Sequence, residues 1–103
     1  MAKKSKKWSR SVGRDAFNLD TSAAEWLGKR LIFLAKHGEF TDPPDGLTAE
    51  QWRADVLARG HALRHYGRMW ELDAGVIEEA TLRLHARNAI IWFAENLDNL
   101  WSD

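Results

Sequence analysis

Residues 47–70, LTAEQWRADVLARGHALRHYGRMW, decide the fold. Thr48 has the side chain of a helix N-cap, and Gln51 stands three residues on, where it can return the bond to the cap's own N–H. Leu47 before the cap and Trp52 at the fourth helical position have the spacing of a hydrophobic staple. Glu50 puts a carboxylate near the positive end of the helix dipole. Trp52, Val56, Leu63, Tyr66 and Trp70 then recur at helical spacing. The pattern predicts a helix over about 49–72. Gly60 and Gly67 lie on or beside its apolar stripe, each costing about 1 kcal/mol relative to alanine. A packing face can repay that by letting a neighbouring backbone come close.

Upstream, Ser22 and Glu25 have capping-box spacing, and Ala23, Leu27, Leu31, Leu34 and Ala35 form an apolar stripe that Trp26 and Phe33 widen. A helix over about 21–37 is expected, stopped by Gly38 in the left-handed conformation. Pro43 and Pro44 forbid helix in the loop that follows. Downstream, a helix over about 74–99 is expected, with Asp73 as its cap. Leu82, Ala86, Ala89, Phe93, Leu97 and Leu100 form one stripe. Ile77, Ala80, Leu84 and Ile91 form a second, roughly opposite, and Trp92 falls among polar neighbours. Some 26 residues of helix span about 39 Å, against a radius of gyration of about 13 Å for a compact domain of this size. No strand pattern competes. The expected fold is all-α: an elongated three-helix bundle, residues 15–103, behind a basic N-terminal arm, residues 1–14.

The 103 residues suit one domain, and 45% hydrophobic with 29% charged residues fits a globular chain rather than a disordered one. There is no cysteine, which excludes disulfides, thiolate metal sites and a cysteine nucleophile. Net charge is zero, yet residues 1–14 carry +6 and residues 71–103 carry −5. The arm lacks helical periodicity and reads as mobile. No apolar run has the roughly 18–20 residues of a membrane span, and the basic start lacks the apolar region of a secretory signal, so a cytoplasmic protein without membrane partners is expected.

Gly-rich phosphate loops, nucleophile elbows and calcium loops are missing from the sequence, so no enzyme and no cofactor is expected. His61 and His65, four apart on one helix face, have metal-chelating spacing. The zinc-protease pattern needs glutamate after the first histidine, where Ala62 stands, and Arg64 and Arg68 would repel a cation. They remain a weak candidate, and no metal is expected. Two interaction surfaces stand out. One is a protein interface of Trp92, Trp101, Ile77, Leu84 and Ile91. Six tryptophans exceed what a small core can bury, and tryptophan is enriched at interface hot spots. Trp26, Trp52 and Trp70 are explained by core packing. The other surface is cationic: Lys3, Lys4, Lys6, Lys7, Arg10 and Arg14 in the arm, with a ridge of Arg53, Arg64 and Arg68.

The order of motifs adds a resemblance. A basic start leads to Gly13-Arg14-Asp15-Ala16-Phe17-Asn18-Leu19-Asp20. Then come Trp26-Leu27, Arg30 and Leu31, Pro43-Pro44-Asp45-Gly46-Leu47-Thr48 with Trp52, and a closing Phe93-Ala94-Glu95-Asn96-Leu97-Asp98-Asn99-Leu100-Trp101. This resembles small helical proteins of actinobacterial phages and prophages, with Phe17 at a usual tryptophan and Ser102 separating Trp101 from Asp103. The resemblance implies a phage product in the host cytoplasm or the virion, and carries no activity or functional residues. The expected function is a non-enzymatic protein–protein interaction module that forms a homo-oligomer, most simply a dimer, or binds a host or virion protein. The alternative is a nucleic-acid-binding accessory protein using the cationic surface.

Overall fold

The computed structural model describes residues 10–72 and 75–103, and the fold among them is all-α. Helix α1 is Arg10–Phe17, α2 is Leu19–His37, α3 is Ala49–Gly67 and α4 is Val76–Glu95. Short 3-10 turns, Met69–Glu71 and Leu97–Asn99, follow α3 and α4. No helix among these residues is long and apolar enough to cross a membrane.

Helix α3 starts as its sequence dictates. Thr48 Oγ1 accepts from the Gln51 N–H (3.1 Å), and Gln51 Oε1 accepts from the Thr48 N–H (2.9 Å). Leu47 packs against the core cluster that holds Trp52. Thr48→Ala is expected to cost about 0.5–2 kcal/mol, read as a lower thermal midpoint, because a helix N–H loses its partner.

Helix α2 packs antiparallel along α3. Gly28 lies against the backbone of Gly60 and Arg64, and Gly67 against the backbone of Glu25. At the far end Arg53 reaches across to the last turn of α2. Its Nη1 donates to the Ala35 carbonyl, its Nη2 donates to the Gly38 carbonyl (2.9 Å), and its guanidinium lies 4.9 Å from the Phe40 ring centre. These carbonyls lack intrahelical partners, so the guanidinium caps one helix from its neighbour. Helix α4 packs on the other flank of α3, where the Trp92 ring meets Trp52 at 5.4 Å. The core gathers Leu31 and Ala35 of α2, Trp52, Val56 and Leu63 of α3, Ala86, Ala89 and Trp92 of α4, and Phe40 of the loop. The last residues close over that loop. Ser102 Oγ accepts from the Glu39 N–H (2.8 Å), the Asp103 N–H donates to the Glu39 carbonyl (3.2 Å), and Thr41 donates to the Asp103 carboxylate.

The molecule is broad and flat, 51 × 39 × 21 Å, with a radius of gyration of 16.0 Å. Its shape has a different cause from the one expected. Helix α4 has 20 residues rather than 26. Helices α2 and α4 both pack on α3 but scarcely touch each other, so the three long helices form an open layer and not a closed bundle.

Several local expectations are corrected. Residues 10–17 are helical, where a stretch without helical periodicity was expected through residue 14. Positions 1–9, with Lys3, Lys4, Lys6, Lys7 and Trp8, lie outside the described residues, as does Asp73, the expected cap of the last helix. Gly75 occupies the N-cap of α4. Helix α2 begins at Leu19, with Asn18 at its N-cap, so Ser22 and Glu25 are already inside it. Glu25 instead faces Lys29 (3.2 Å) and Arg68 (3.5 Å). Gly38 is extended (φ −77°) and not left-handed; among the described residues Gly46 is the glycine with positive φ. Helix α3 stops at Gly67, short of residue 72, with Arg68 at its C-cap and the 3-10 turn Met69–Glu71 following.

Candidate functional site

The open layer leaves a trough between α2 and α4. Its floor is apolar and buried: Ala24, Leu63 and Ala86. Its walls are Leu19 and Ala23 of α2 and Ile90 and Ile91 of α4, around a volume of about 820 Å³. A second groove of about 400 Å³, bounded by Asp15, Trp26, Leu27 and Phe93, shares Leu19, Ala23 and Ile90 with the first. The two are continuous. Phe17 at the end of α1, 90% exposed, adds a large apolar side chain near Leu19.

A polar cluster closes one end. Tyr66 of α3 donates its hydroxyl to Asp20 Oδ2 of α2 (3.0 Å), with Arg83 of α4 close to both. Arg87, one turn along α4, also lines the trough. The Thr21 N–H first, and then the Tyr66 hydroxyl, hold the Asp20 carboxyl below its usual range. Burial first, and then the hydrogen bond to Asp20, push the Tyr66 phenol up. Near neutral pH the pair is therefore a carboxylate accepting from an un-ionised phenol, with no proton shared between them.

Two pH effects follow. Asp20 is depressed on folding, so its contribution is present above the unfolded carboxylate pKa and is lost as pH falls through the folded value. Tyr66→Phe is expected to raise the Asp20 pKa part of the way, the Thr21 N–H holding the rest. Carboxyl titration by NMR checks this. Tyr66→Phe should also be less sensitive than the wild type to acidification below about pH 4. An unmoved Asp20 pKa would show that the hydrogen bond does not form.

The expected site residues are dispersed. Ile77, Leu84 and Ile91 are exposed along α4, and Ile91 reaches the trough. Trp92 does not belong with them. At 9% exposure it is a core residue, because α3 presents the flat face of Trp52 where the helical wheel shows only polar neighbours. Trp101 is exposed, in the closing segment beside Ser102. Trp26 and Trp70, expected in the core, are exposed. Trp26 instead stacks under the Arg30 guanidinium at 3.9 Å, and Trp70 follows the end of α3, where the stripe no longer faces α2.

Among the cationic residues, Arg10 and Arg14 fall within α1. Arg53 is committed to the α2 carbonyls. Arg68 stands 3.5 Å from both Glu25 and Glu71, at distances that make charge contacts rather than directed hydrogen bonds. Arg64 is half-buried beside Gly28, and its Nε lacks a hydrogen-bond partner. The His61 and His65 rings lie 6.1 Å apart, and among the described residues no group of three metal-ligating side chains includes them.

Sequence reasoning missed Leu19, Asp20, Arg83, Arg87 and Ile90. Asp20 and Tyr66 are 46 positions apart, and only the register of α2 on α3 brings them together. The adjacent pair Ile90-Ile91 was the available signal, since neighbouring residues on one helix cannot both be buried against α3, the helix on which α4 packs. No protein-family model matches the chain, and no curated protein or solved structure is significantly similar to it.

Proposed function

We propose that this protein is a helical protein–protein interaction module, acting by docking rather than by catalysis, with the α2–α4 trough as its seat. The observation that carries this reading is a groove between two helices over buried Ala24, Leu63 and Ala86, with Leu19, Ile90 and Ile91 exposed along its walls. Soluble monomers rarely leave a large contiguous apolar patch open, and such patches mark association surfaces. The ends of the trough are charged, which gives an orientation to whatever docks there. The motif resemblance to actinobacterial phage proteins makes the partner a second copy of the chain or a host or virion protein, met in the host cytoplasm or the virion. The ridge offers less to nucleic acid, since Arg53 and Arg68 already face carbonyls and carboxylates within the chain.

Photo-crosslinking tests the reading. A benzophenone side chain at Ile91, in the trough, should yield discrete protein adducts in producing cells. The same group at Asp45, in the exposed loop, should not. Equal yields at the two positions would overturn the assignment of the trough.

A further inference from the structure

The outer face of α2 alternates rings with cations. Trp26, Arg30, Phe33 and His37 form one stripe of the helix, opposite the buried stripe of Ala24, Gly28, Leu31 and Ala35. The Arg30 guanidinium lies 3.9 Å from the Trp26 ring centre, and its Nη1 donates to the Trp26 carbonyl (3.1 Å). The His37 ring meets Phe33 at 4.4 Å. Each ring is thus steadied by a neighbour one turn on, yet Trp26 stays 57% and Phe33 66% exposed. Lys29 and Lys36, both exposed, flank the stripe on one side.

The charge around these rings is cationic. Glu25 faces Lys29 (3.2 Å) but also Arg68 (3.5 Å), and Asp15 of α1 borders the hollow lined by Trp26, Lys29 and Arg30. Glu39 follows only after Gly38 has ended the helix. Arg30 and Lys36 make no ion pair among the described residues. In the sequence, residues 3–14 run into α2 with six more cations, and Asp15 is the first acid of the chain.

We propose that this face of α2 binds single-stranded nucleic acid, with bases stacked on Trp26 and Phe33 and phosphates met by Lys29, Arg30 and Lys36. Three arguments select this partner. Arginine has five N–H groups, and Arg30 uses one of them within the chain, so it can still donate to a phosphate. Between residues 20 and 37 the exposed large apolar side chains are the two rings, with no aliphatic one to enter a protein pocket or a lipid layer. A duplex keeps its bases stacked on one another, whereas a single strand has a π-face free at every base and a phosphate beside it. Trp26 and Phe33, seven residues apart, are separated by about 10.5 Å along the helix, so they hold two points of one strand. This surface is distinct from the trough, although Trp26 also stands on the rim of the smaller groove.

Fluorescence anisotropy of labelled oligothymidylate and oligouridylate with the full chain tests the proposal. Binding at 50 mM salt should saturate and should weaken about tenfold or more by 200 mM. Binding of either strand supports the proposal, and their ratio tells whether DNA or RNA is preferred. Phe33→Ala and Phe33→Leu should each weaken it about fivefold or more, and Phe33→Trp should keep it, because stacking needs a ring and not merely an apolar side chain. Phe33 is exposed, so these variants should keep the wild-type thermal melt. Replacing Lys3, Lys4, Lys6 and Lys7 together by alanine should reduce the salt dependence and leave the Phe33→Ala effect in place. No binding of either strand at 50 mM salt, a duplex bound as tightly as the single strands, or Phe33→Ala binding like the wild type would each overturn the assignment. Vesicles of anionic phospholipid bound where the oligonucleotides are not would overturn it in favour of a lipid surface, and protein adducts from a benzophenone at position 33 without oligonucleotide binding would do so in favour of a protein partner. The crosslinking at Ile91 reads the trough separately, so either assignment can fail without the other.

Discussion

Gly28→Ala is expected to lower the thermal midpoint by about 8–16 °C, while the same exchange at Gly13 leaves it unchanged or raises it. A Cβ at position 28 would sit 2.7 Å from the backbone nitrogen of Arg64 and 2.8 Å from the carbonyl oxygen of Gly60. Neither is the end of a flexible side chain, so the helices themselves must move apart. Overpacking of a filled interface costs about 1–3 kcal/mol, and more when backbone rather than side chain has to yield. Alanine returns about 1 kcal/mol through its helix propensity. The steric term wins by about 2 kcal/mol, and each kcal/mol is worth about 4–8 °C in a domain of this size. At Gly13 in α1 nothing lies within 4 Å of the added methyl, so the propensity gain stands alone. The contrast in sign between two identical substitutions separates close packing from helix propensity. Gly28→Ala and Gly13→Ala giving equal midpoints would mean that α2 and α3 do not meet backbone to backbone. Gly60→Ala should be milder than Gly28→Ala. Its nearest neighbour is Ile32 Cγ1 at 2.9 Å, a side-chain atom that can shift, although Gly28 O and Ile32 N stand at 3.0 Å behind it.

The same glycines mark what the sequence makes legible. Thr48 and Gln51 are three residues apart and satisfy each other's backbone, so a cap of this kind is local and readable from the chain alone. Gly60 and Gly67 could be read as places of close approach, because a glycine in a helix interior carries a cost that needs an offset. What they approach is not local. Gly28 and Glu25 become their partners only through the antiparallel register of α2 on α3. Helix α4 shows the same boundary. Its sequence has two apolar stripes, and periodicity cannot say which one meets the neighbour. The stripe with Ala86 and Ala89 turns inward, where small side chains let α4 sit close on α3, and the larger Ile77, Leu84 and Ile91 turn outward. The trough was hidden for a related reason, since it is a consequence of α2 and α4 failing to touch. Helix α1 was hidden because it is only eight residues long, is rich in charge and is interrupted by Gly13, so its few apolar side chains cannot extend a stripe over several turns.

Trp52→Ala is expected to cost about 3–5 kcal/mol and Trp92→Ala a comparable amount, whereas Trp70→Ala and Trp101→Ala should each stay within about 1 kcal/mol. Trp52 is 1% exposed, and its ring lies 5.4 Å from that of Trp92 with a tilt of 34°. Removing either indole leaves a void against the other and strips contacts from a core that holds few other large side chains. Most of its remaining members are Ala, Val or Leu, which cannot swing far enough to fill an indole-sized gap. Arg59 lies over the outer face of Trp92 at 5.6 Å, so truncation there also removes a cation–π contact. Domains of this size are stable by only about 5–15 kcal/mol, so Trp52→Ala can unfold the protein outright. Trp52→Phe keeps an aromatic ring and allows the measurement to be completed. With Trp92→Phe and the double variant it closes a cycle, in which the two rings should show a coupling of about 0.5–1.5 kcal/mol by denaturant unfolding. The cycle also tests the assignment of Trp92 to the core. A core residue changes stability and leaves association per folded molecule unaltered; an interface residue does the reverse. If Trp92→Phe weakened self-association at an unchanged unfolding midpoint, the ring would belong to the docking surface and the packing against Trp52 would not hold.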